Sequence, residues 1–174
     1  MSVKNSFNIT ACLFFVLCIA GAVTPARAQD NDNKERAAAL YNEAAALFHD
    51  GNTDKAIETI KESLKADASS AAAYDQLGYM LLSKQQHQEA LNAFDAALRL
   101  NPMMRTSRTG KGLALLGKGD VNEAEAVLKE ALQLNPNPAM THYALGLAYE
   151  RSNEYEKAVE QYKEGIRSFR EGKP

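Results

Sequence analysis

Gly112-Leu-Ala-Leu-Leu-Gly117-Lys118 spells G-x-x-x-x-G-K, the opening of a loop in which bare backbone N–H groups and a lysine grip a nucleotide's phosphates. That chemistry needs more than two glycines and a lysine. A strand must lead into the loop, its backbone must close on the phosphates, and a Ser or Thr must follow the lysine to hold magnesium. Here the interior, Leu113 to Leu116, is apolar and helix-forming, and Gly119 follows Lys118. No nucleotide site is expected. His49, His87 and His142 are the other candidates for chemistry, but they lie far apart and have no carboxylate or thiol at ligand spacing. There is no G-x-S-x-G, and the serines are unaccompanied. The residue types predict no catalytic centre, no metal and no cofactor, and the chain is not expected to be an enzyme.

The first residues read as an address. Lys4 precedes an apolar run from Ile9 to Val23, and Ala26-Arg27-Ala28 is the small-x-small pattern of a signal-peptidase site, so residues 1–28 are expected to be a cleaved signal peptide. The apolar core is shorter than the roughly 20 residues that span a bilayer, and no membrane span is expected after cleavage. Both cysteines, Cys12 and Cys18, fall in this segment. The mature chain would carry no thiol or disulfide, and an oxidising compartment would not affect it. Cleavage takes Lys4 and Arg27 and no acid, leaving 18 basic side chains against 22 acidic ones, a charge of about −4. Wholesale binding of nucleic acid needs a basic surface and is not expected. A periplasmic location follows, with secretion as the alternative. Residues 29–36, "QDNDNKER" with its neighbours, read as a frayed polar linker.

What must position any functional residue is a repeat. Gly78, Gly112 and Gly146 are 34 residues apart, as are Ala56, Ala90, Ala124 and Ala158. Ile60, Phe94, Leu128 and Tyr162 keep the same period with bulky side chains, and Leu64, Leu98, Leu132 and Ile166 keep it again. Each unit reads as two helices: Tyr74, Leu77, Gly78 and Leu81 mark one face of the first, and Ala90, Phe94, Ala97 and Leu98 one face of the second. Asp120 with Glu123 and Asn153 with Glu156 look like helix starts. Asn137-Pro138 places a cap before a proline at the first helical position, and Asn101-Pro102 and Asn135-Pro136 close the preceding helices. No run alternates at period two, so no sheet is expected.

These columns resemble the tetratricopeptide repeat family: an aromatic, Leu-Gly and Tyr in a first helix, Ala, an aromatic and Ala in a second, and a closing Pro. Residues 71–104 match best, with Tyr74, Leu77-Gly78, Ala90, Phe94, Ala97 and Pro102. Residues 139–172 follow, with Leu145-Gly146, Tyr149, Ala158 and Tyr162. Residues 105–138 put Arg108 and Lys111 where an aromatic and a leucine belong, and residues 37–70 are the weakest unit. The resemblance implies an all-α superhelical solenoid of four helix-turn-helix repeats, 37–70, 71–104, 105–138 and 139–172, with 173–174 as a tail. No solvating helix follows the last unit, so its outer face would be open to water or to a second copy.

The resemblance further implies that a partner protein's peptide or helix binds the concave face of the first helices. The positions there are Tyr41, Ala45 and Phe48; Asp75, Tyr79 and Leu82; Thr109, Leu113 and Leu116; and Tyr143, Leu147 and Glu150. They make an aromatic trough, although the same residues would also serve to pack neighbouring helices. The Lys/Asn/Arg clamp of chaperone-binding members is missing, with Tyr41, Ala45, Gln76, Thr106 and Gly110 in its place. Arg105, Arg108 and Lys111 form one basic stripe that either pairs with acids of the preceding unit, Asp75 or Asp95, or contacts an anionic partner. Thr106, Ser107, Thr109, Gly110 and Gly112 are poor helix formers, which makes that helix the expected weak point of the array. With the export signal, the expected function is assembly or scaffolding of an envelope complex, with self-association through the last repeat as the alternative.

Overall fold

A computed structural model of the chain describes residues 25–134 and 138–172; the expected leader up to residue 24 and Asn135 to Asn137 lie outside the described residues. Among these residues there are helices and no strand: α1 Pro25–His49, α2 Thr53–Ala66, α3 Ala71–Ser83, α4 His87–Leu100, α5 Arg105–Lys118, α6 Val121–Leu134, α7 Ala139–Arg151 and α8 Tyr155–Glu171. Two helices occupy each 34-residue unit, as the columns predict. The stretch 29–36 is helical rather than frayed and belongs to α1. It lacks proline, and Lys34 pairs with Asp30 one turn away at 2.8 Å.

The turn inside each unit has one recurring conformation. Gly51, Gln85, Gly119 and Asn153 fall 34 residues apart, and all four hold positive φ, between 59° and 91°. Glycine meets that demand at no steric cost, and Asn tolerates it better than most residues. Asn153 is therefore the left-handed turn residue and not the helix cap; α8 starts two residues later, and Asn153 accepts a hydrogen bond from the Tyr155 hydroxyl. Pro138 likewise precedes α7 instead of opening it.

Packing follows from size complementarity at the columns. The Phe94 ring is wholly buried. A Cβ placed on Gly78 of its own unit, or on Gly110 of the next, would overlap that ring. Gly112 makes the same room for Leu128, and Gly146 for Tyr162. Gly117, one of the glycines of the apparent phosphate loop, lies against the His87 ring, and Gly119 is the turn. The loop's glycines are thus packing and turn residues in an apolar helix.

Successive first helices, α1, α3, α5 and α7, touch one another, whereas successive second helices do not. The array bends towards the first helices and places them on its inner surface. α5 meets α3, α4, α6 and α7 and buries seven residues, from Ser107 to Leu116. This enclosure overrides its poor propensity, since tertiary packing dominates helix stability. The exposed flank is α8, which buries only Ala158 and Gly165.

Hydrogen exchange should therefore show α8 opening before α5; equal or earlier opening of α5 would mean that propensity governs local stability. Gly110→Ala should cost about 1–3 kcal/mol by overpacking against Phe94. Phe94→Leu in that background should recover part of the loss, giving a non-additive cycle in denaturant melts.

Candidate functional site

The inner surface is built one position at a time. The fifth residue of a unit meets the third residue of the next through hydrogen bonds. Ser107 donates to the Asp75 carboxylate at 2.6 Å, and Thr106 donates to its other oxygen at 3.0 Å. One unit on, the Thr109 and Thr141 hydroxyls pair at 2.8 Å in a fully buried contact. Tyr79 lays its ring edge-on against Phe94, with centroids 5.1 Å apart, and donates its hydroxyl to the Thr106 carbonyl at 2.8 Å. Arg151 reaches back to the Leu116 carbonyl. These contacts lock the units in register.

This ladder consumes part of the expected trough. Thr109 and Leu116 are buried and offer no surface, which corrects their placement as groove-lining residues. The side chain at the fifth position is drawn into the next unit, a use that a list of concave positions does not reveal. Asp75 and Tyr79 are half-buried and already bonded. Burial raises the Asp75 carboxyl above its ordinary range, and the Ser107 and Thr106 hydroxyls oppose that rise. Burial, and secondly the charge of Asp75, hold the Tyr79 phenol above its own. Tyr41, Ala45, Phe48, Leu82, Leu113 and Leu147 keep partial exposure, while Tyr143 and Glu150 are open to solvent. What survives is an apolar strip along α1, α3, α5 and α7.

The basic stripe divides. Lys111 bonds Asp95 of the preceding unit at 2.8 Å. Arg108 is mostly buried, donates to the Pro102 carbonyl at 2.9 Å and lies 4.0 Å from Glu130, with a second guanidinium nitrogen buried and unpartnered among the described residues. Both are held within the fold, and only Arg105 is exposed. The histidines stay apart: His49 stands beside Asp50, His87 packs on Gly117, and His142 meets Gln161 at 2.8 Å. Among the described residues no cluster of His, Cys, Asp or Glu could hold a metal ion, and no helix is long and apolar enough to cross a membrane.

A broad hollow lies away from the expected trough residues, sharing only Tyr143 with them. Ala139, Met140 and Tyr143 of α7, with Tyr162, Gly165, Ile166 and Phe169 of α8, line an open apolar groove of about 720 Å³ at the end of the array. Tyr162 donates to Glu150 at 2.8 Å, and its phenol is pushed up to about 12 by burial and by that carboxylate. The signal was present in the register: Ile166 continues the Leu64, Leu98 and Leu132 column, yet it is 60% exposed.

A tetratricopeptide repeat family model matches residues 20–71, 76–137 and 109–172. Small glutamine-rich tetratricopeptide repeat-containing protein 2 of Mycosarcoma maydis is 36% identical over 73 residues, 42% of this chain and only 20% of that protein's length. Among solved structures, MamA superposes with a TM-score of 0.68 at 24% identity, covering 78% of this chain and 79% of the other. MamA 41-end from Desulfovibrio magneticus RS-1 gives 0.68 at 23%, covering 78% and 76%. The Arabidopsis OM64 TPR domain gives 0.65 at 19%, covering 68% and 98%. At these identities the structural likeness concerns the fold.

Ser107→Ala tests the ladder. Removing a donor to a carboxylate should cost about 1.5–3 kcal/mol near neutral pH and raise the Asp75 pKa further in an NMR titration. Because the folded pKa already exceeds the unfolded one, this group favours the fold at acid pH, and that contribution is lost as pH rises through the folded value. The cost of Ser107→Ala should accordingly shrink as pH falls through the folded Asp75 value, where the carboxyl becomes protonated.

Proposed function

Because the chain belongs to the tetratricopeptide repeat family, we propose that it is an exported, non-catalytic interaction module that holds a partner protein's helix or extended peptide along its inner surface. The family's members bind protein partners and are generally non-catalytic, which sets the class. The observation that carries the finer reading is the strip of half-exposed apolar side chains, Tyr41, Phe48, Leu82, Leu113 and Leu147, which runs across all four first helices on the inside of the bend. Half-exposed apolar side chains on one face favour an interaction site, and the Tyr41 hydroxyl adds a polar handle to its ring.

The partner is apolar or amphipathic rather than strongly acidic. Lys111 and Arg108, which would have met an acidic peptide, are engaged with Asp95, Pro102 and Glu130. Export rests on the Ile9–Val23 run and the Ala26-Arg27-Ala28 pattern. Cleavage after Ala28 would shorten α1 by its first four residues and leave every repeat intact. Assembly or scaffolding of an envelope complex is the role that suits a peptide-holding array in that compartment.

Site-specific photocrosslinking in cells expressing the full sequence checks the groove. A benzophenone side chain at Leu113 or Leu147 should trap a protein partner, whereas one at exposed Ala126, on the outer helix α6, should not. Equal trapping from Ala126 would sink the assignment. The recovered protein should begin at Gln29 and fractionate with the envelope.

A further inference from the structure

We propose that the chain stacks head to tail on itself, the exposed face of α1 in one copy covering the apolar groove of α7 and α8 in the next. Neither end face is an arbitrary surface. Each is half of a junction that the chain builds internally wherever one unit meets the next.

The columns on the head side show this. The third residues of the later units, Ala73, Ser107 and Thr141, are fully buried against the preceding unit, as are the tenth residues, Met80, Ala114 and Ala148. Their counterparts in the first unit, Ala39 and Ala46, are exposed. Between them lies Asn42, an amide at the sixth position, where Gln76 stands at the first internal junction. This face carries two alanines and an amide, without the large side chains of the tail. The tail side is its complement. Ile60, Phe94 and Leu128 are fully buried beneath the following unit. Tyr162, in the same column, is partly open, and nearby Ile166 and Tyr143 are 60% and 50% exposed. A large apolar face thus waits at one end and a small-residue face at the other.

One internal junction also carries a charge pair. At the junction between the second and third units the seventh residue, Lys111, bonds the twenty-fifth residue of the unit before it, Asp95. In a head-to-tail stack the same two columns bring Glu43 to Lys163. The signs are reversed and still complementary. Both side chains are exposed, and neither forms an ion pair among the described residues. The two terminal helices are also the long ones. α1 starts ahead of the first unit, and α8 runs to Glu171, past the column in which α2, α4 and α6 end. Both extensions lie at the same edge of the junction, where the second helix of one unit ends and the first helix of the next begins. Repeating one junction makes a heterologous interface, which leaves an unpaired head and tail on every stack and does not close at two copies.

Sedimentation velocity on the chain recovered from cells expressing the full sequence decides the matter. The weight-average mass should rise with concentration and pass the dimer without a plateau. Ile166→Asp should leave a folded monomer, checked by circular dichroism, because the substituted side chain is exposed within the single chain. Glu43→Lys and Lys163→Glu should each weaken association roughly three- to tenfold, in keeping with one exposed ion pair turned repulsive. Combining them in one chain, or mixing the two variants, should restore it. A monomer at every concentration, a closed dimer, association indifferent to Glu43→Lys, or a tail that captures only a different protein would each overturn the proposal.

Discussion

The close approach of helices across the Phe94 ring is the constraint on which the rest of the array depends. One aromatic side chain fills the space between the two helices of its own unit and also the space to the next, because Gly78 and Gly110 both withdraw their side chains from it. Protein interiors tolerate neither voids nor overlap at this scale. A bulky residue in the second helix therefore dictates a small one in the first helix of its own unit. The period of 34 is the distance at which that demand recurs, and Leu128 over Gly112 and Tyr162 over Gly146 meet it again.

Close packing on the second-helix side forces contact among the first helices, and this is where the polar residues go. Asp75 with Ser107, and Thr109 with Thr141, tie one first helix to the next. A hydroxyl buried at such a junction must be bonded or it costs stability. These residues therefore set register and leave the apolar strip to face outward. The inner surface is divided between bonds that hold the array together and apolar side chains left half-exposed.

That division separates what was legible in the residues from what was not. The fold was open to reading because size complementarity writes itself into spacing: Ala90, Phe94 and Gly78 announce a helix pair without any coordinates. The turn at Gln85 was hidden, since glutamine carries no preference for positive φ and only its column beside Gly51 and Gly119 betrays it. Asn153 was misread because the same short amide suits both a cap and a left-handed turn. The trough was legible as a set of positions but not as a surface. Thr109 and Leu116 sit in the concave columns, and whether a column residue faces water or the next helix depends on the bend between units. Lys111 was readable both ways, and only the 2.8 Å contact with Asp95 assigns it. The weakness expected of α5 was a propensity argument, and enclosure by four helices opposes it.

A linear array also concentrates its unmet demands at its ends. The junction of Phe94 with Gly110 hides a large side chain against a small one, and the two end faces of the described array lack such cover. The head face meets water with polar Asn42 and Glu43, in columns that hold Gly110 and Lys111 two units later. The tail face differs. It carries charge around the rim, at Lys163, Glu164 and Arg167, while Ile166 and Phe169 stay in the centre, 60% and 57% exposed. An apolar centre inside a charged rim is the arrangement that the proposed stacking would use.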